Sequence, residues 1–232
     1  MTGGPRPLPG QEQIYARVFG RGYGHDRSLA AGRPLNAVGA PLPAITYPAL
    51  EFLRQLDLST ASVLALGAAD SLAFWCRAAR RVTARLDDAA TRAAAASLGL
   101  DNLALAEPGA PADAEGADAE GAGASSTYDI VLIDGGDHAA AAIDALNRLA
   151  WGGMVVLHRA ERHPAAAHHL RKGDLIEIDF TGFAPLERRP VTTAIFLHRA
   201  FDMTARAGHR PLPGVGAEPH QTSDRSDPRS PR

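Results

Sequence analysis

Residues 61–88 read ASVLALGAADSLAFWCRAARRVTARLDD, and the order of residue types in this stretch decides the fold. A short apolar run, Val63-Leu64-Ala65-Leu66, meets small and polar residues at Gly67-Ala68-Ala69-Asp70-Ser71. A helix-compatible stretch follows from Leu72 to Arg80, and a second apolar piece begins at Val82. The order predicts strand, tight turn, helix, strand, which is one βαβ unit of a parallel sheet. In such a sheet the turn leaving the C-terminal end of a strand is where ligands bind, because the next helix presents free N–H groups there. Gly67 can take φ > 0 and bring the main chain close to a ligand, and Asp70 or Ser71 can cap the helix through a side-chain oxygen.

Downstream the same pattern repeats. Val82 to Leu86 reads as a second strand, Asp88 to Leu98 as an alanine-rich helix, and Asn102 to Ala106 as a third strand. Residues 107–127, EPGAPADAEGADAEGAGASST, hold no large apolar side chain and are expected to be a flexible insertion. Tyr128 to Gly135 resumes as a buried strand ending in Asp-Gly. A helix from Ala139 to Leu149, a turn at Gly152-Gly153 and a strand from Met154 to Leu157 follow. A helix over Arg162 to Lys172 then leads to strands at Asp174 to Phe180 and Thr192 to His198. The last two strands are joined by a loop holding Pro185 and Pro190, so they should pair antiparallel.

Upstream, Tyr47 to Leu53 opens a helix with Pro48 in its first turn. Residues 1–10 are Gly- and Pro-rich, a short helix fits Gln11 to Phe19, and Gly20 to Pro43 reads as an irregular arm over the surface. Tyr23, His25, Asp26 and Arg27 lie in that arm as a polar loop tip. The division is thus an N-terminal arm over 1–43, a domain over 44–204 with the insertion at 107–127, and a disordered tail over 205–232.

The chain has 232 residues, a formal net charge of −2 and a single cysteine. That length suits one buried core. The near balance of charge gives no field to draw in nucleic acid or an anionic membrane, so a small neutral or zwitterionic partner fits better. Cys76 rules out an intrachain disulfide framework and reads as a packed thiol. No apolar run approaches the ~20 residues that cross a bilayer, and MTGGPRPLPG lacks a secretory h-region, so a cytoplasmic protein is expected.

Six pieces, taken in order, carry a resemblance: Thr46-Tyr47-Pro48-Ala49-Leu50-Glu51-Phe52-Leu53; Val63 to Ser71; Val82 to Asp88; Asp129 to Gly135; Gly152 to Arg162; and Phe180-Thr181-Gly182-Phe183-Ala184-Pro185 with Thr193-Ala194-Ile195-Phe196. From about Tyr47 to Phe201 the chain resembles the class I methyltransferases that use S-adenosylmethionine (SAM). The resemblance implies an α/β fold with a Rossmann-like seven-stranded, mostly parallel sheet, an antiparallel last strand and helices on both faces. It also implies methyl transfer to a small-molecule or sugar-like acceptor. Gly67, Ala69, Asp70 and Ser71 would form the cofactor turn, Asp87 or Asp88 would stand in for the acid that grips the ribose, and Asp134 would border both cofactor and acceptor.

The departures are specific. Ala65 stands where the family has glutamate, Ala69 where it has its second glycine, Leu86 where it has the ribose acid, and His158-Arg159 where it has Asp-Asn. Each lost acid removes a charge-assisted hydrogen bond, typically about 1.5–3 kcal/mol. They favour an alternative, a non-catalytic protein of the same fold that binds or scaffolds. A nicotinamide-binding domain fits less well, since Gly67-Ala68-Ala69-Asp70-Ser71-Leu72 supplies only the first glycine of G-x-G-x-x-G.

Among the histidines, His138 follows Asp134-Gly135-Gly136-Asp137, and His158 ends the fifth strand. If the sheet is parallel, Asp134, His138 and His158 share one rim and form the candidate reaction centre. No ligand spacing supports a metal there. His163, His168 and His169 read as a solvated helix surface, and Arg77, Arg80 and Arg81 as the exposed side and end of the first βαβ helix.

Overall fold

The computed structural model describes residues 10, 13, 15–106, 127–206, 212–215 and 217. Its strands are β1 (Ser62–Leu66), β2 (Arg81–Arg85), β3 (Leu103–Ala106), β4 (Tyr128–Ile133), β5 (Leu149–His158), β6 (Ile176–Gly182) and β7 (Val191–Leu197). They form one sheet in the order β3-β2-β1-β4-β5-β7-β6. The pairs from β3 to β5 are parallel, and β7 runs antiparallel to both β5 and β6.

The helices are α1 (Ala16–Tyr23, wound as a π-helix), α2 (His25–Ala31), α3 (Tyr47–Leu53), α4 (Leu72–Ala78), α5 (Ala89–Ala96), α6 (His138–Arg148) and α7 (Pro164–Arg171). Alternation along the central strands sends side chains to two cores. Val63 and Ala65 of β1 face a core with Leu50 and Leu53 of α3, Trp75 of α4 and Ala95 of α5. Leu64 and Leu66 face Ala142 and Ala145 of α6 and Leu170 of α7. All five residues of β1 are buried, as a strand covered on both faces must be. The fold is therefore the expected Rossmann-like seven-stranded mixed sheet with helices on both faces.

Several local expectations need correction. Gly20 to Pro43 carries helix, not an irregular arm. The Gly24 N–H bonds the Phe19 carbonyl, the i→i+5 spacing that closes α1, and α2 follows directly with His25 and Ser28 buried. Packing, not periodicity, holds this segment. Tyr23 stacks on Tyr47 at 4.0 Å and donates to Glu51 Oε1 at 3.0 Å. His25 Nδ1 lies 3.0 Å from the Tyr47 hydroxyl. Tyr23 and His25 are thus part of a wall, not a loop tip, while Asp26 accepts the Tyr15 hydroxyl at 3.2 Å.

The expected turn at Gly152-Gly153 lies inside β5. Tyr128 pairs with Leu149 and Ile130 with Met154, so β5 bulges between them, with Gly152 at φ +82° and Trp151 82% exposed. A bulge keeps the strand paired while absorbing extra residues. Arg81 opens β2 instead of ending a helix, and its guanidinium lies 5.8 Å from the Tyr128 ring centroid.

Described residues beyond position 204 are bonded in place. Ala205 bridges Leu56, Leu212 N–H donates to Gln55 Oε1 at 2.6 Å, and Val215 N–H donates to Glu51 Oε1 at 3.3 Å. Residues 107–126 of the insertion lie outside the described residues. So do 207–211, 216 and 218–232, and all of 1–14 but residues 10 and 13. Cys76 is buried, and burial pushes its thiol up to about 11, which suits a packed and unreactive group. Among the described residues no helix is long and apolar enough to cross a membrane.

Candidate functional site

The C-terminal ends of β1, β4 and β5 meet at one rim of the sheet, on the face that α3 covers. At the end of β1, Gly67 has φ +75°. A Cβ there would fall 2.5 Å from the Gly135 Cα, and one on Gly135 would fall 2.9 Å from the Gly67 carbonyl oxygen. The two glycines therefore let the ends of β1 and β4 touch backbone to backbone. The left-handed φ serves this crossing.

Past it, Ala69–Ser71 forms a single 3₁₀ turn. Ser71 is buried and its Oγ accepts the Ala44 N–H at 2.9 Å, so its hydroxyl ties the segment before α3 to the turn. Asp70 is exposed and lines a cavity of about 110 Å³ together with Gly67, Ala69, Asp134 and His158.

Asp134 follows Ile133, which pairs with Leu66 on one side and Leu157 on the other, and its N–H bonds the Leu66 carbonyl at 3.1 Å. Burial pushes its carboxyl up to about 7. The guanidinium of Arg159 opposes this, and the carboxylates of Asp70 and Glu187 add to it. The group therefore changes charge near neutrality, where a proton acceptor works best. His158 is only 2% exposed. Burial first, then Arg159, Arg162, His163 and His138, bring its imidazole down to about 3, so it is neutral at physiological pH. Its Nδ1 lies 3.1 Å from Thr193 Oγ1 on β7.

Of the candidate reaction centre, the cavity brings Asp134 and His158 together and leaves His138 out. Asp137 caps α6 by accepting the Ala139 and Ala140 N–H groups. His138, the first residue of that helix, donates from Nδ1 to the Gly136 carbonyl at 3.0 Å. Its ring stacks on His163 at 3.4 Å and 7°. His163 thus belongs to this rim.

The end of β2 distributes its residues differently from the cofactor reading. Leu86, 2% exposed, is in the core. Asp88 caps α5 by accepting the Thr91 N–H at 2.6 Å and hydroxyl at 2.7 Å. Asp87 is exposed and lies against Gly136, where a Cβ would meet its Oδ2 at 2.6 Å.

The cavity also holds Arg159, named above only as a departure from the family's pattern, and Glu187, which the sequence did not single out. Arg159 has φ +54°, uncommon for a residue with a Cβ and costing about 1–2 kcal/mol. Its Nε donates to Glu187 Oε1 at 2.7 Å, and Arg162 approaches the other Glu187 oxygen at 3.7 Å. Glu187 lies in the loop between β6 and β7. The pairing joins two loops distant in sequence, so neither residue announces the other. Among the described residues no group of three or more His, Cys, Asp and Glu is placed to hold a metal ion.

The strand order, with an antiparallel β7 set between β5 and β6, defines the class I SAM-dependent methyltransferase fold. Comparison with known proteins agrees. A cofactor-bound structure of Rv0187 from MTB is similar at 18% identity and a TM-score of 0.52, over 84% of this chain and 99% of that one. A chain from Klebsiella pneumoniae, provisionally assigned as an O-methyltransferase, is similar at 13% identity and a TM-score of 0.51, over 81% of this chain and 94% of that one. Precorrin-6y C5,15-methyltransferase from Geobacter metallireducens GS-15 is similar at 18% identity and a TM-score of 0.49, over 65% of this chain and 87% of that one. No protein-family model matches the chain, and no curated protein matches it in sequence.

Proposed function

We propose that this protein transfers a methyl group from SAM to a small-molecule or sugar-like acceptor at the rim where β1, β4 and β5 end. The observation that carries the reading is the juxtaposition of Asp134 and His158 in a cavity that Asp70 also lines. The donor set suits the charged methionine end of the cofactor, since Asp70 and Asp134 supply carboxylates and a sulfonium is a cation. Asp87 alone is left near the ribose end, outside the cavity.

When bound, SAM supplies an electrophilic methyl: the acceptor oxygen's lone pair forms the new C–O bond while the S–C bond breaks with its electrons going to sulfur. Asp134 takes the proton that the acceptor hydroxyl gives up, a role suited to a carboxyl held up at about 7. Ala44, Ala184 and Leu186 line the cavity and exclude water from the reacting atoms. Positioning the two reactants in line supplies much of the remaining rate. The reading takes a cytoplasmic protein with a small-molecule partner; the net charge of −2 supports only the partner, since it gives no field to draw in nucleic acid.

A second reading, a non-catalytic binding or scaffold protein, is favoured by two observations. The cavity of about 110 Å³ is well below the ~300–1,000 Å³ of most small-molecule sites, and Leu86 is buried where the ribose acid belongs.

Calorimetric titration of SAM and of S-adenosylhomocysteine into the full chain separates the two. Micromolar binding, weakened at least about tenfold by Asp70→Asn, supports methyl transfer. Absence of heat up to millimolar ligand, from protein shown to be folded, leaves the second reading.

A further inference from the structure

His158 offers the cavity one ring nitrogen, and a hydrogen-bond chain fixes that nitrogen's state. Thr193 is fully buried. Its Oγ1 accepts the Thr46 N–H at 3.0 Å and lies 3.1 Å from His158 Nδ1. The Thr46 hydroxyl is engaged elsewhere, donating to the Phe180 carbonyl at 2.9 Å.

A hydroxyl has one proton to give. Among the described residues, the acceptor within reach of the Thr193 proton is His158 Nδ1, and a buried hydroxyl proton left with no acceptor is unfavourable. The Thr193 proton therefore points to Nδ1, and the ring's own proton sits on Nε2. Nε2 has no hydrogen-bond partner among the described residues, although the side chain is 2% exposed and lines the cavity. Nε2 is not sealed from solvent without a partner, so its N–H opens onto the cavity, where a ligand can accept it.

Asp134 and His158 directly follow the paired residues Ile133 and Leu157 on neighbouring parallel strands. They therefore project from the same face, with backbones about 5 Å apart. A proton acceptor and a proton donor stand side by side at that spacing.

We propose that Thr193 is a positioning residue that locks His158 as the Nε2–H tautomer, making it a hydrogen-bond donor and not a base. The acceptor molecule then carries two neighbouring oxygens, a hydroxyl beside a carbonyl or a second hydroxyl. One gives its proton to Asp134, and the other takes the His158 N–H on a lone pair. The acceptor class rests on the methyl-transfer reading, whereas the tautomer does not. The neutral state of His158 agrees with the assignment.

The tautomer is read from long-range proton–nitrogen spectra of the full chain labelled with ¹⁵N-histidine, with His158 identified by its loss in His158→Gln. The expected result is a bare Nδ1 and a protonated Nε2 from about pH 5 to about pH 8. Thr193→Val should give a mixture of tautomers, and Thr193→Ser should restore the single form. A proton on Nδ1 in the unaltered protein, or a Thr193→Val spectrum identical to it, overturns the lock.

The acceptor class is read by titrating catechol, with two neighbouring oxygens, and phenol, with one, into the full chain in the presence of S-adenosylhomocysteine. Catechol should bind at least about tenfold more tightly, and His158→Gln should abolish the preference. Equal affinity, or binding of neither, removes this acceptor class. Absence of heat from S-adenosylhomocysteine itself removes the methyl-transfer reading and leaves the spectra to decide the tautomer.

Discussion

The β1–β2 side of the rim and the β4–β5 side hold comparable numbers of polar residues but use them differently. On the first side several polar groups serve the fold, while Asp70 faces the cavity. Ser71 holds Ala44, Asp88 caps α5, and the left-handed turn at Gly67 accommodates Gly135. On the second side Asp134 is partly buried and His158 buried, and both line the cavity. Taking a carboxyl out of water costs stability. The difference teaches that the β1–β2 end uses polar groups other than Asp70 largely for structure, while the β4–β5 end sets a carboxyl and an imidazole in the cavity.

The comparison breaks most visibly at Gly67. Gly67→Val adds a β-branched side chain at φ +75° into the Gly135 backbone, and a loss above about 4 kcal/mol is expected. Thermal unfolding should show no cooperative transition. A well-folded variant would mean that the turn is free for a ligand after all.

Leu86→Asp comes next. It restores an acid at the ribose position but buries it in the core, so a loss of several kcal/mol in urea unfolding is expected, with no gain in SAM affinity. Tighter SAM binding by a stable Leu86→Asp protein would return the β2 end to the cofactor.

Asp134→Asn sharpens the other side. The folded carboxyl titrates near 7, above its unfolded value, so as pH rises from about 4 to about 7 the unfolded chain loses the proton while the native chain keeps it. Stability falls over that window and the penalty is complete above it. Asp134→Asn should therefore match the unaltered protein near pH 3 and exceed it by about 4 kcal/mol near pH 8, while losing about a hundredfold or more in methyl transfer. A stability difference that does not vary with pH would make Asp134 an ordinary solvated carboxylate.

Smaller effects test the groups that serve the fold. Ser71→Ala leaves the buried Ala44 N–H without its acceptor and should cost about 1–2 kcal/mol. Asp88→Ala removes the α5 cap and should lower the Tm by a few degrees, leaving the calorimetric response to SAM unchanged.

The fold was largely legible because strands buried on both faces leave continuous apolar runs, as at Val63 to Leu66 and Tyr128 to Ile133. The antiparallel ending was legible because the connection between β6 and β7 is too short to hold a crossover helix. α1 was legible only at its start, where the helix expected over Gln11 to Phe19 overlaps Ala16–Tyr23; beyond that Gly20 and Gly22 interrupt any period, and the segment is held by Tyr47 and Phe183 from elsewhere. In the site, Asp134 and His158 could be read as strand ends. Thr193 could not be tied to His158, because the register between β5 and β7 is written in no local pattern. Nor could the turn reading separate Asp70, which faces the cavity, from Ser71, which faces Ala44.

The ring of Phe19 packs against Tyr23, His25 and Tyr47, and also against Phe183 at 5.5 Å. Phe183 lies between β6 and β7, among the final strands to be synthesised. A growing chain therefore offers Phe19 only part of its resting place until nearly the whole sheet exists. The helix made ahead of every strand thus completes its packing only once the loop between the last two strands is in place.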